Sequence, residues 1–383
     1  MKLMDNRCES CGAKSPVISS YLSLCKKCLL KTDSEVLAKK HALFRNKLRL
    51  PAMPPVNQRG IKCNVCVNEC SVSEGEIGYC GVRVNKNGVL ENRAGRNSIL
   101  AYVYLDPLPT NCVAIEYCPA TTGAGYPKYA VSLRGEKGFY NLAVFLYGCN
   151  LDCLFCQNIQ HKYELIEHDM RSKIINESTF LQQAMSQDVT CICYFGGDPA
   201  PQSLEVIYLS RKISEYASEK GLVKRICWET NGLENPSIMR IMALLSLRSG
   251  GLVKIDWKAW NPSLYTALTG VNGEKALKRL KENVKLLAGL MNERREIPLL
   301  VVSVLLVPGY VDEEEVEGIA SFIASLDTDI PLVLLAFYPQ HLMKDLPTTS
   351  LNHALSCYQV AVKSGLKHVS IGNYWLLSKK EYE

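Results

Sequence analysis

The sequence predicts an α/β fold, a partial (β/α) barrel of parallel strands preceded by an N-terminal Cys-rich metal-binding region. Three observations lead there. From Gly138 onward, short apolar β-rich runs alternate with longer segments of helical period, the pattern of parallel βα units. The 383 residues are enough for a barrel plus an appendage. Of the 17 cysteines, thirteen lie before residue 157, mostly in C-x2-C or C-x3-C spacings that let thiolates converge on metal.

Strands are expected at 141–148, 191–197, 225–232, 253–260, 299–309, 333–339 and 368–372, and the clearest helices at 203–220, 275–291, 313–326 and 351–365. The roughly 235 residues available suit six or seven strands better than a closed eightfold barrel, with a doubly wound open sheet as the alternative. Ahead of the barrel, residues 1–50 hold CESC, CKKC and a basic helix, closed by PAMPP at 51–55. Residues 56–137 form a second Cys-rich region, irregular after its cysteines; the barrel spans 138–376, and 377–383 form a tail.

A hydrophobic share of 47% and a charged share of 21% are ordinary for a globular chain, and no apolar run approaches the ~20 residues that span a bilayer. Met1–Asn6 is short and polar without a targeting pattern, so the expected location is cytoplasmic. There, many cysteines argue for metal or redox work rather than disulfides. The net charge of +6 sits partly in 26–49, where few aromatics are interleaved. It reads as a solvated helix face, so nucleic acid and membrane are both disfavoured as partners.

Barrel chemistry sits on the loops leaving the carboxyl ends of the strands. Those ends carry Cys149, Cys153 and Cys156 in GCNLDCLFCQN, then Gly196, Gly197 and Asp198, then Glu229, Thr230, Asn231 and Gly232, then Asp256 and Lys258, and last Pro308 and Gly309. Three local cysteines suit a [4Fe–4S] cubane with one iron open to chelate a small molecule. The alternative is a zinc site completed by Cys191 or His161. A Glu229–Lys258 ion pair and a tight Gly196–Gly197 turn are plainer readings of the same rim.

Cys8, Cys11, Cys25 and Cys28, spaced C-x2-C-x13-C-x2-C, form two facing knuckles that favour zinc. Cys63, Cys66, Cys70 and Cys80 suit zinc or an auxiliary iron–sulfur cluster. Cys112 and Cys118 belong to neither set, and metal binding, a redox pair and core filling stay open for them. Cys191, Cys193, Cys227 and Cys357 read as small buried apolar residues.

CNLDCLFC resembles the C-x3-C-x2-C signature of radical S-adenosylmethionine (SAM) enzymes, with Phe155 before the last cysteine. YFGGDP (194–199) is similar to that family's GGE motif, with Asp198 in place of glutamate. CWETNG (227–232), IDWKAW (255–260) and LLVPGYVDEEEV (305–316) resemble motifs of pyruvate formate-lyase activating enzymes. CNVCVNECSVSEGEIGYCGVR (63–83) resembles the N-terminal signature of the AmmeMemoRadiSam-type branch. The likeness runs over residues 58–376, and the preceding CESC…CKKC module is similar to a zinc ribbon.

The resemblance implies a [4Fe–4S] cluster on Cys149, Cys153 and Cys156 whose open iron takes SAM, and reductive cleavage to a 5′-deoxyadenosyl radical that abstracts hydrogen from a substrate. That substrate would be a protein or peptide, or else a small metabolite; a non-enzymatic zinc-rich binding protein is the rival class. By the same likeness Gly196, Gly197 and Asp198 meet the SAM amino group, and Asp256 and Lys258 lie near its ribose and carboxylate. Phe155 packs on adenine, and Asn231 and Pro308 complete the SAM contacts. Glu229, Thr230 and Asp256 would share a monovalent cation. Tyr338 stands where activating enzymes often have His, with His341 as the substitute, and the electron would come from a ferredoxin or flavodoxin under anaerobic conditions.

Overall fold

The computed structural model describes residues 5–166 and 170–382, so the first four residues of the N-terminal module and the last of the tail lie outside the described residues. In chain order the strands of the main sheet are β1 (Ser98–Pro107), β2 (Tyr140–Leu146), β3 (Ile174–Asn176), β4 (Val189–Gly196), β5 (Arg225–Thr230), β6 (Val253–Asp256), β7 (Leu300–Leu306), β8 (Leu332–Ala336) and β9 (Val369–Gly372). The longer helices are α1 (Ser34–Lys47), α2 (Glu177–Ala184), α3 (Ser203–Lys220), α4 (Pro236–Ser249), α5 (Pro262–Thr269), α6 (Gly273–Leu290), α7 (Glu313–Leu326) and α8 (Leu351–Lys363).

The strands pair in the order β9-β8-β7-β6-β5-β4-β2-β1-β3. From β2 through β9 the neighbours are parallel, whereas β1 lies antiparallel on β2 and β3 antiparallel on β1. Alternation along each strand divides two cores. Ile192, Tyr194, Ile226, Trp228, Val302 and Val304 pack outward under the helices. Cys191, Cys193, Cys227, Val301 and Val333 face inward and form one cluster with Leu252 and Ile297. Side chains from β4 and β8, which are not neighbours, share that cluster, so the sheet is curled; its two free edges make it a partial barrel rather than a closed one.

All seven expected strands and all four expected helices are present; α3 and α7 match their expected bounds, and the others differ by one to four residues at an end. The reading of 56–137 as irregular past its cysteines is corrected by β1, a ten-residue strand that covers the edge of β2 with Tyr104 opposite Ala143. Helices α4 and α5 were also unforeseen. Each starts at an Asn-Pro pair, with the Asn side chain accepting backbone N–H groups of the first turn, and each ends at a glycine in the left-handed region.

The inner end of the barrel is stoppered by the segment that follows β1, which brings Cys112, Ala114, Cys118 and Tyr129 against the inward faces. Arg225 and Glu136, both buried, fix that segment through paired contacts of 2.7 and 2.5 Å, joined by Thr190.

Candidate active site

At the carboxyl ends of β2, β4, β5 and β6 lies a cavity of about 230 Å³. Its walls include Cys149, Cys153, Cys156 and Phe155 from the loop after β2, Gly196, Gly197 and Asp198 after β4, Glu229, Thr230 and Asn231 at β5, and Asp256 and Lys258 at β6. The strand-end residues singled out in the sequence therefore meet in one place, except Pro308. The Pro308–Gly309 turn is instead packed under the N-terminal module, where a side chain on Gly309 would meet the Val17 carbonyl oxygen at 2.3 Å.

The cysteine loop is fixed by backbone and buried charge. Asp152 N–H donates to Thr269 O at 2.8 Å and Leu154 N–H to Leu268 O at 3.0 Å, tying the loop to α5. The Asp152 carboxylate, enclosed between Cys149 and Cys153, contacts Lys162, His41 Nδ1 (3.1 Å) and Arg45 (3.5 Å). Burial pushes its pKa up, but Lys162, His41 and Arg45 together outweigh this and hold it far below the usual carboxylate range. Asn150 exchanges amide contacts with Asn231, whose Nδ2 donates at 2.6 Å, so the first and third strand-end loops are coupled.

The glycines after β4 are required by close approach. A Cβ on Gly197 would lie 2.0 Å from the Gly148 carbonyl oxygen, and Gly196 has φ +107°. Behind them Asp198 accepts N–H bonds from Ala200 and Asn231, both at 2.8 Å. Thr230 Oγ1 lies between Asp198 (3.2 Å) and Glu234 (2.6 Å). Burial raises Asp198 to about 6 and Glu234 to about 8, the latter with help from Asp198. A protonated Glu234 can thus donate to Thr230, which donates to Asp198.

Two ion pairs line the cavity, and neither is the one expected. Glu229 pairs with Lys254 at 2.7 Å, and Lys258 pairs with Asp256 and sits 5.7 Å from the Phe155 ring centre. Glu229 is turned to Lys254, and Thr230 to Asp198 and Glu234, so two of the three residues expected to share a cation are engaged with other partners here. His341 does not reach the cavity either: it packs edge-on against Phe44, 4.5 Å between centroids, and burial pushes it down to about 4.

The donor set fits a cluster better than a single ion. A tetrahedral thiolate site with metal–sulfur bonds of ~2.3 Å holds its sulfurs about 3.8 Å apart. Among the described residues only Cys8, Cys11, Cys25 and Cys28 close to within 4.8 Å of one another. Of the two residues that could complete a zinc site there, His161 Nε2 lies 3.7 Å from Cys156 Sγ and lines the cavity while Cys191 faces the lumen, but Cys149, Cys153, Cys156 and His161 do not close to within 4.8 Å of one another. No other cysteine lines that cavity. Cys63, Cys66, Cys70 and Cys80 line a separate small pocket and are likewise more open than the first tetrad. Their loop supports the site: Asn68 donates to Asn150 O at 2.7 Å, and Val67 N–H to Leu233 O at 2.9 Å.

Sequence reasoning missed Asp152, Lys162, His41, Arg45, Glu234 and Lys254. Only Lys254 carried a local signal, since it stands two residues before Asp256 on the same strand face.

Residues 143–323 match the model of the Radical SAM superfamily. An uncharacterized protein of Methanocaldococcus jannaschii is 25% identical over 336 residues, 87% of this chain and 85% of its own length. A provisionally named glycyl-radical enzyme activating enzyme of the same organism is 27% identical over 185 residues, 48% of this chain and 68% of its own. A solved domain of pyruvate-formate lyase-activating enzyme from Bacteroides vulgatus aligns at 21% identity and a TM-score of 0.35, covering 47% of this chain and 98% of that one. Residues 143–323 are a radical SAM domain, and with the activating-enzyme relative this supports an enzyme of the radical SAM class.

Proposed function

We propose that Cys149, Cys153 and Cys156 hold a [4Fe–4S] cluster, that SAM occupies the cavity beside it, and that the enzyme abstracts hydrogen from a protein or peptide. The observation that carries this is the three-cysteine wall with no fourth thiol on a cavity otherwise built from Gly196–Asp198, Thr230–Asn231 and Asp256–Lys258. When bound, the reduced cluster supplies the electron that splits SAM into methionine and the 5′-deoxyadenosyl radical.

The chain's own residues orient and shield. The Gly196–Gly197 backbone can approach a ligand as no bulkier pair could. Asp198, anchored by two N–H groups, faces an ammonium, while Lys258 offers a cation to a carboxylate and lies over Phe155, an apolar face for a purine. Asp152 and Lys162 hold the cysteine loop rigid beneath them.

A polypeptide substrate is supported by the relative named for activating glycyl-radical enzymes, and by Tyr102 and Tyr104, which stack at 5.6 Å on the exposed lumen-side face of β1. The tight tetrad of Cys8, Cys11, Cys25 and Cys28 suits zinc; the wider set of Cys63, Cys66, Cys70 and Cys80 suits an auxiliary iron–sulfur cluster. A ferredoxin or flavodoxin would reduce the chain. Seventeen free thiols suit a reducing cytoplasm, and among the described residues no helix is long and apolar enough to cross a membrane.

The test is anaerobic reconstitution with iron and sulfide, then SAM and dithionite. 5′-Deoxyadenosine should accumulate, and a yield no higher than that of Cys149→Ala overturns the reading. Metal analysis should find zinc alongside iron.

A further inference from the structure

The lumen beneath the candidate active site holds a further group of cysteines. Cys193 on β4 stands directly beside Cys227 on β5, and Cys191 Sγ lies 3.8 Å from Cys227 Sγ. Cys112, from the segment that stoppers the barrel, and Cys193 share Lys254, whose ammonium is 3.3 and 3.1 Å from the two sulfurs. Cys118 comes from the same segment. These five thiols wall a cavity of about 110 Å³. It adjoins the candidate active site, with Phe195, Glu229 and Lys254 lining both spaces.

Core filling does not account for this arrangement. Protein interiors are close-packed, and voids cost stability in proportion to their volume. Here the inward positions of two adjacent strands carry Cys where Val or Leu would fill the space, and a buried ammonium projects among them. Both stoppering thiols arrive from a segment more than seventy residues away in sequence from the strand thiols they face.

We propose that this cavity binds an iron–sulfur cluster through Cys112, Cys118, Cys193 and Cys227, with Cys191 beside Cys227. A single ion does not suit the spacing: the group does not close to within 4.8 Å as the N-terminal tetrad does, and Lys254 stands between Cys112 and Cys193. In a cluster the thiolates are spread over two irons in pairs or over four irons singly, so the full set stands farther apart around a core that fills the space. Lys254 then serves as the counter-charge for bound thiolates, with Glu229 as its second partner at 2.7 Å. The cluster would sit at the back wall of the cavity in which substrate is held, separate from Cys149, Cys153 and Cys156.

The experiment isolates this site by its metal content. In the full-length chain, Cys149, Cys153, Cys156, Cys63, Cys66, Cys70 and Cys80 are replaced by alanine, and the protein is reconstituted anaerobically with iron and sulfide. Retention of on the order of two to four irons per chain with matching sulfide, lost on adding Cys193→Ala and Cys227→Ala, is the expected result. Iron and sulfide no higher than in that last variant, or zinc without sulfide, overturns the proposal. Should the sevenfold variant not fold, the wild-type chain is compared with Cys193→Ala/Cys227→Ala at equal helicity and melting temperature. A fall of the same size in iron and sulfide supports the site, and an unchanged content overturns it. Because the first arm lacks Cys149, Cys153 and Cys156, its outcome is independent of whether the chain cleaves SAM.

Discussion

Asp152 lies inside the cysteine motif as one of its spacer residues, yet it carries the buried charge that holds the loop. Its partners His41 and Arg45 are more than a hundred residues away in sequence, so no local pattern marks them; the three cysteines were legible because their spacing is itself the chemistry. Asp152→Asn leaves Lys162 and Arg45 buried without a counter-charge. The expected loss is ~3–5 kcal/mol of stability in urea titrations, with a parallel fall in bound iron. Glu234 gives a prediction about pH. Burial raises its carboxyl from the ordinary glutamate value near 4.5 to about 8, so the folded chain keeps a proton that the unfolded chain has released. Stability from this group is therefore full at low pH and is lost as pH rises from about 4.5 to about 8. Urea titrations across that window should show a shallower decline for Glu234→Gln than for wild type; an identical slope would mean that Glu234 is ionised in the fold.

Elements were legible where apolar period was strong and illegible where pairing or capping decided the outcome. Strands β4, β5 and β7 show as short apolar runs, whereas β1 is recognisable as a barrel strand only through its antiparallel register on β2. The N-terminal ribbon joins the main core through Ile18, Leu22, Leu24 and Leu29, and specific polar contacts fix how it docks. Tyr310 Oη accepts from Ser19 N–H and donates to Leu24 O, both at 2.9 Å, and Asp345 accepts from Asn6 (2.8 Å) and Ser20 (2.7 Å). Tyr310→Phe leaves the Ser19 N–H and the Leu24 carbonyl without their partner, a cost of ~1–3 kcal/mol. Amide hydrogen exchange should accelerate across residues 7–30 in that variant while β4 and β5 stay protected. With the proposed zinc on Cys8, Cys11, Cys25 and Cys28, a chelator should produce the same regional loosening more strongly, because a structural ion contributes directly to folding.

Across the whole molecule, the sequence suggests a barrel that starts at 138 with Cys-rich appendages before it, but the contacts run the other way. β1 occupies the edge of β2, the strand that launches the cluster loop; α1 supplies His41 and Arg45 to Asp152; and the Cys63–Cys80 loop grips Asn150 and Leu233. These links were not legible because each joins segments distant in sequence through single polar contacts or a strand pairing. A fragment of residues 138–383 would expose a full strand edge at β2, the kind of surface that pairs with other chains, and would leave Asp152 with Lys162 alone. It is expected to aggregate and to bind no iron above background on reconstitution. A fragment of residues 51–383 keeps β1 and the second Cys-rich loop but loses α1; it should stay soluble and load less iron than the full chain. If the 138–383 fragment proved soluble and took up iron at the full-length level, the preceding segments would be appendages rather than parts of the site.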